Sequence, residues 1–551
     1  MKKQSFFFGS AVLILSAVIA KLMGAVFRIP LANLLGGTGM GYFSGAYGIF
    51  MTVYAVSVTG LPAAVAKLTA ENSALERYAN LRRVKSTALL FFTAAGLVFT
   101  LLTLLLSHPF CVSLNNSPET LPAALAIAPS VLFGCMTSVY RGYYEGLRNM
   151  FPTAVSQIIE GLFKLLLGLA LCVYVLKNPE KVPPFFGNGE NALLSAAAAA
   201  AVLGITLSTA AGTLFLVLRD KLFGDGITPE QLARTNGKCL TDSRRSIVSA
   251  LLKTAVPIAA GALVTNLTSL IDLVTIMRSL ERAAAVSPDY FAEKAPQISA
   301  RELPNFLFGS FTGLAVTVFN LVPSFTNMFG KGILPSLAEG FAEKDSGKIR
   351  LCTEKALFAT ALIAFPSGVG ICVLSGEILR VLFPAKPLET GLCTLSLSIL
   401  GIGVIFLCIS ATVFAALQAA GRAELPVKFM LLGVAVKLVG NLLLVGIPEI
   451  NIAGAAFSTT LCYGVICVPA LGALIKITNV DKSRIKSIFL KMGYCSLMCG
   501  GGALLAKNML ADRFNPVLSL GISVLFGVIF YIISTFLLGI ITKSTLKMLI
   551  S

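Results

Sequence analysis

Histidine occurs once in this chain, at position 108, and none of its twelve cysteines stands in a C-x-x-C pair. No cysteine or histidine spacing suits a tetrahedral ion, which excludes a structural metal site and a disulfide framework. The cysteines lie scattered through apolar runs. Cys495 and Cys499 share a helix face and read as small apolar packing. Charge is scarce as well: 13% of the 551 residues are charged, against about a quarter in soluble domains. Low-complexity linkers are missing, and the longer polar loops, Arg219–Ile247 and Ser279–Leu303, offer short amphipathic elements rather than a folded soluble domain.

In place of charge the chain has apolar sequence, 56% hydrophobic with a mean hydropathy of +0.85. A bilayer core takes about 20 apolar residues per helix. Fourteen stretches meet that length, at roughly 6–29, 40–68, 84–107, 121–142, 153–176, 191–218, 249–279, 304–330, 352–375, 389–418, 428–447, 452–475, 487–508 and 515–540. They lack the ten-residue alternation of an outer-membrane barrel, so helices remain, with every backbone group bonded inside the segment. The opening Met1-Lys2-Lys3 and the run behind it continue past Lys21 to Arg28 and Pro30, too long for a signal-peptide core, and read as the first span.

The net charge of +18 falls at intervals between apolar segments rather than on one soluble face with interleaved aromatics, which argues against nucleic acid as a partner. It sets topology instead. With the N-terminus in the cytoplasm, the inner segments hold 29 Lys and Arg and the outer ones 10, with five (Lys21, Arg28, Lys164, Lys253, Lys437) inside spans. Both termini are therefore expected inside.

An internal repeat runs through the spans. Gly60-Leu61-Pro62-Ala63 resembles Ile333-Leu334-Pro335-Ser336, and the stretch ending in Lys164 resembles the one ending in Lys437, both at an offset of 273. Arg148-x-x-x-Pro152 matches Arg422-x-x-x-Pro426 at 274. Each match joins span n to span n + 6, an even step, so the halves share one orientation. The expected fold is all-α and polytopic: a six-helix lobe over 1–220, a cytoplasmic loop over 221–248, a second six-helix lobe over 249–477, and an additional helix pair over 478–551. A cleft between such lobes suits alternating access. Pro62, Pro129, Pro257, Pro323, Pro335 and Pro366 are candidate kinks.

A charge in the bilayer costs about 2.5–3.5 kcal/mol on the insertion scale, so those that persist are candidates for a substrate path. They are Lys21 and Arg28 in span 1, Glu160 and Lys164 in span 5, Asp272 in span 7 and Lys437 in span 11. Each has a structural alternative: Arg28 snorkelling to the surface, Glu160 pairing with Lys164 one turn on, Asp272 pairing with Arg278. Cations outnumber anions in this set, which suits an anionic substrate and not a cationic drug.

Ser16-x-x-x-x-Lys21-x-x-Gly24-x-x-x-Arg28-Ile29-Pro30, Leu35-Gly36 with Gly39, and Gly60-Leu61-Pro62-x-Ala64-x-Ala66-Lys67 together resemble the opening of the stage V sporulation protein B and polysaccharide-biosynthesis proteins. Those are relatives of the MurJ-type lipid II flippases in the multidrug/oligosaccharidyl-lipid/polysaccharide exporter superfamily. Ile271-Asp272 with Arg278-x-Leu280, Asn320-Leu321-Val322-Pro323 and Ala416-Leu417-Gln418-Ala419-Ala420-Gly421-Arg422 extend the likeness over nearly the whole chain. The resemblance implies two six-helix bundles around a cationic cavity for the pyrophosphate and sugar of an undecaprenyl-linked precursor. It also implies that spans 13 and 14 border a groove for the polyprenyl tail. The span 1 cations of the family correspond to Lys21 and Arg28; where MurJ-like flippases carry Arg, this chain carries Lys21.

The expected function is a flippase for a lipid-linked anionic oligosaccharide in the bacterial cytoplasmic membrane, a monomer without cofactor or catalytic centre. A small-molecule exporter of the MATE type is the alternative, for which twelve helices suffice. A membrane glycosyltransferase or polymerase is a third, which needs paired or metal-binding carboxylates that the outer loop around Glu293 and Glu302 does not resemble.

Overall fold

The computed structural model describes residues 6–186, 189–228, 241–510 and 514–540, with side chains except those of 6–11, 14, 265 and 327–335. Every regular element among them is helical. Part of the expected loop 221–248, the C-terminal residues 541–551 and the side chains of the Ile333-Leu334-Pro335 motif lie outside the described set.

Two compact units emerge, residues 1–274 and 275–551, and the boundary falls inside one long helix. The first unit contains α1 (Phe6–Ser57), α2 (Leu61–Ala74), α3 (Tyr78–Pro109), α4 (Leu121–Ile127), α5 (Ser130–Gly146), α6 (Phe151–Lys177), α7 (Glu190–Phe223) and the first part of α8 (Arg244–Val286). The second holds the rest of α8, then α9 (Pro288–Lys294), α10 (Leu303–Ser310), α11 (Val316–Phe319), α12 (Leu321–Glu343), α13 (Ser346–Leu382), α14 (Pro387–Ala419), α15 (Glu424–Leu444), α16 (Asn451–Thr478), α17 (Lys482–Leu510) and α18 (Pro516–Leu537).

Among the described residues, twelve helical stretches are long and apolar enough to cross a membrane. The first of them, Leu15–Ala74, is 60 residues and takes in the second expected span and most of the first. Its break is at Gly36, whose φ of 62° and ψ of −169° only glycine adopts without strain. The expected span over 304–330 is not one helix but α10, a wide turn over Phe311–Ala315, α11 and α12. Pro323 cannot donate a backbone hydrogen bond, and the chain breaks at Asn320, just before it.

The candidate proline kinks divide. Pro257 and Pro366 lie within helices, whereas Pro62 starts α2 and Pro129 caps α5, where a missing N–H costs little. The non-helical dihedrals inside long helices are at Gly36 and at Leu374 (φ −102°, ψ 17°), neither of them a proline.

The repeat is visible in local geometry. Lys164 stands thirteen residues after Phe151, the start of α6, and Lys437 thirteen after Glu424, the start of α15. Before α6 the chain turns through a left-handed Arg148 (φ 59°), and before α15 through Gly421 (φ 73°), again 273 residues on. The helix pair α17 and α18 packs on α13. Gly500 meets Val369, Gly502 meets Phe530, Tyr531 donates to the Leu362 carbonyl at 2.9 Å, and Lys507 pairs with Glu377 at 3.0 Å.

At the loop end of the first unit, α3 is tied to the last turn of α7 and to the segment after it. Lys85 pairs with Asp220, which also accepts from the Tyr144 hydroxyl at 2.8 Å. Asp225 accepts from Arg82 Nε and from the Tyr143 hydroxyl, each at 3.3 Å, and from the Ile227 N–H at 3.1 Å. Asn80 donates to Asp242 at 2.7 Å. Burial alone raises the Asp225 carboxyl, but the Ile227 N–H, Arg82 and Lys85 outweigh it and hold the group below its ordinary value of 3.8. A carboxyl so lowered stabilises the fold fully above its unfolded value, and that contribution disappears as pH falls through the folded one. Thermal unfolding in detergent, followed by far-UV circular dichroism, is expected to move to lower temperature below about pH 4, and Asp225→Asn to flatten that slope.

Candidate functional site

The site is built on the packing of α1 against α6 and α7. Lipid tails are as apolar as leucine, so helices in a bilayer associate by close contact at small residues. Gly161 faces Met23, and a Cβ there would sit 2.8 Å from its sulfur. Two turns on, Gly168 faces Phe27 on one side and Gly204 of α7 on the other, where a Cβ on Gly204 would lie 2.4 Å from the Gly168 Cα. The alanine run of α7 is buried beside this seam. The register sets the polar face of α1 against Glu160 and Lys164 of α6.

Beyond the Gly36 break, α1 presents Phe43, Tyr47, Phe50 and Tyr54 at helical spacing, with consecutive ring centroids 5.9, 5.9 and 5.1 Å apart. Phe27 joins this column at 6.2 Å from Phe43. Two cations flank one of its rings: Arg28 Cζ stands 5.5 Å from the Tyr47 centroid, and Lys164 Nζ 5.7 Å from it and 5.3 Å from Phe27. Those distances are within the reach of cation–π attraction. Arg28 therefore turns onto the aromatic column instead of snorkelling away. No carboxylate pairs with Arg28 or Lys164 among the described residues.

Glu160 does not pair with Lys164, despite the one-turn spacing. Its carboxylate accepts from Arg141 Nη2 at 2.8 Å, while Arg141 Nε donates to Ser156 Oγ at 2.9 Å. A guanidinium presenting two donors outcompetes a lysine on the same helix. The layer around Tyr47 thus keeps an excess of positive charge, with Glu160 neutralised by Arg141. Lys21, two turns before Arg28 on the same face, is exposed, and the neighbouring Ser16 donates to Gln157 at 3.0 Å.

In the second unit Lys437 is 5% exposed within α15, and Asn441, one turn on, donates to Thr275 at 3.0 Å. Asp272 is half-buried on α8, in the first unit. The structure thus brings Arg28, Lys164 and Glu160 into one neighbourhood.

Two contributors escaped the sequence reading. Arg141 lies one residue inside the expected span end at 142, among the topology-setting cations; α5 in fact continues to Gly146 and carries it inward. Tyr47 is nineteen residues from Arg28, across the Gly36 break, and its signal was the aromatic spacing from Phe43 to Tyr54.

The profile of the family described as "Polysaccharide biosynthesis protein" matches residues 7–341, more than half of the chain. The chain belongs to that family. A second profile, "Lipid II flippase MurJ", matches residues 309–525. Among curated relatives of this family member, stage V sporulation protein B of Bacillus subtilis (strain 168) is 24% identical over 475 residues, covering 86% of this chain and 84% of the relative. Among solved structures, lipid II flippase MurJ in an inward closed conformation aligns with a TM-score of 0.65 at 14% identity, covering 96% of this chain and 98% of that one. An inward-facing MATE family transporter aligns at 0.60 and 12% identity, covering 86% and 95%. Those likenesses establish the fold, all-helical and of transporter type.

Proposed function

We propose that this protein is a flippase that moves an undecaprenyl-pyrophosphate-linked sugar precursor, for peptidoglycan or another polysaccharide, across the bacterial cytoplasmic membrane by alternating access. The observation that carries the reading is the pair Arg28 and Lys164 on the Tyr47 ring, two cations held by aromatic faces and paired with no carboxylate among the described residues. A pyrophosphate offers the acceptors that such a pair lacks, and charge-assisted bonds to phosphate are the stronger kind. The MurJ profile and the MurJ-like fold support the substrate class.

Arg28 and Lys164 are proposed as headgroup ligands, with Lys21 as a further cation on the entry face and Lys437 as their counterpart on the repeat. Glu160 positions Arg141, and Asp272 is proposed as a polar lining residue. The proposed lobes are 1–220 and 249–477, joined by a cytoplasmic loop and followed by the pair over 478–551. The termini are proposed to face the cytoplasm and the working unit to be a monomer.

A MATE-type exporter of organic cations shares the fold. The excess of positive charge at Tyr47 favours the anionic substrate. Reconstitution tests this: purified protein in liposomes with a labelled undecaprenyl-pyrophosphoryl sugar, scored by access from the opposite leaflet. Accelerated exchange supports the proposal; ethidium transport without lipid movement overturns it.

A further inference from the structure

The second unit contains a cavity of about 440 Å³ that the proposed transport does not use. It lies where the first turns of α13, the start of α17 and the residues after α18 come together, lined by Glu354, Lys355, Phe358, Arg484, Lys491 and Ile540 among others. Its floor is apolar, from Phe358, Ile488 and Ile540, and its walls carry three cations and two acids, Glu354 and Asp481.

The charges are organised. Arg484 is held by Glu354 at 3.0 Å yet its side chain stays 60% exposed, so most of the five donors of the guanidinium remain available. Lys355 and Lys491 form no ion pair among the described residues. The first turn of α17, a 29-residue helix, carries Lys482 and Arg484, and Asp481 just before it accepts from the Ser483 N–H at 2.9 Å, which leaves the cations in excess at this end.

The acid is as informative. Glu354 is 4% exposed, and its Oε1 is buried without a hydrogen-bond partner, with Arg350 Nε at 3.9 Å. A buried acceptor in this condition calls for a donor. A ligand that fits therefore combines an anionic group for the three cations, a donor for Glu354 and an apolar body for the floor.

We propose that this cavity binds a membrane phospholipid by its phosphodiester, and prefers headgroups that carry a hydrogen-bond donor, glycerol or ethanolamine, over choline. Residues 541–551, the segment nearest in sequence, are a poorer occupant, because their side chains bring Lys543 and Lys547 and no carboxylate to a cationic wall. The site shares no residue with the Arg28 and Lys164 pair, so it holds or fails independently of the flippase reading.

Native mass spectrometry of the full chain in detergent tests it, with phosphatidylglycerol, phosphatidylethanolamine and phosphatidylcholine of identical acyl chains. Phosphatidylcholine is expected to bind about tenfold more weakly than the other two. The double variant Lys355→Ala/Lys491→Ala, at partly exposed positions, is expected to lose about tenfold in phosphatidylglycerol retention with its thermal unfolding unchanged. Glu354→Gln is expected to narrow the headgroup preference. Equal retention of all three lipids, or undiminished binding by the double variant, overturns the proposal. So does full displacement by equimolar glycerol phosphate, which assigns the site to a free phosphate. A tenfold gain in lipid on truncation after Ile540 overturns it too, by making the tail the occupant.

Discussion

Purified protein carrying Arg28→Ala and Lys164→Ala together is expected to move a labelled undecaprenyl-pyrophosphoryl sugar at least about a hundredfold more slowly than the native chain. A hydrogen bond to a charged group contributes about 1.5–3 kcal/mol, and each 1.4 kcal/mol is a factor of ten, so each single variant is expected to lose roughly ten- to a hundredfold. The distinguishing feature is stability. Arg28 and Lys164 approach the same Tyr47 ring and pair with no carboxylate among the described residues, so their like charges repel. Removing one relieves that repulsion, and the single variants are expected to unfold at the native temperature or above it. If the two cations were structural, transport and stability would fall together. Arg28→Lys keeps the charge but not the bidentate fork, and is expected to retain intermediate activity. Native flipping rates in both alanine variants would remove these residues from the site.

Much of this was readable without coordinates. Apolar runs of about twenty residues gave the spans, because a bilayer leaves the backbone few alternatives to helix. The match of Lys164 to Lys437 at 273 residues anticipated two helices in which the lysine occupies the same place. The partners of the charges were hidden. Glu160 and Lys164 satisfy the one-turn rule for an ion pair, yet the carboxylate turns to Arg141 on α5. Sequence spacing reports only neighbours on one helix, whereas side-chain pairing depends on which other helix packs there. The fourteen-span count hid a different irregularity. The stretch over 304–330 is apolar enough, but Pro323 removes a donor and the chain breaks at Asn320. Hydropathy carries no information about such a break.

The seam between α6 and α7 leads to the other large effect. Gly204→Ala is expected to destabilise the protein by about 3 kcal/mol, the upper end for overpacking, because the new Cβ meets backbone and not a side chain that can rotate away. It would lie 2.4 Å from the Gly168 Cα and 2.5 Å from the Gly168 nitrogen, so α7 must move off α6. The opposite side of Gly168 is already in contact with Phe27, which a Cβ there would approach to 2.6 Å. Displacing α6 therefore shifts the helix that carries Lys164 relative to the one that carries Arg28, and transport is expected to fall with stability. Gly472→Ala in α16 is the matched control. A Cβ there meets nothing within 4 Å, and alanine is favoured over glycine in a helix by up to about 1 kcal/mol. The same chemical change is thus expected to lower the unfolding temperature at position 204 and to leave it unchanged or slightly raised at 472. Equal shifts at both positions would mean that helix propensity, and not the close approach of α6 to α7, governs the response.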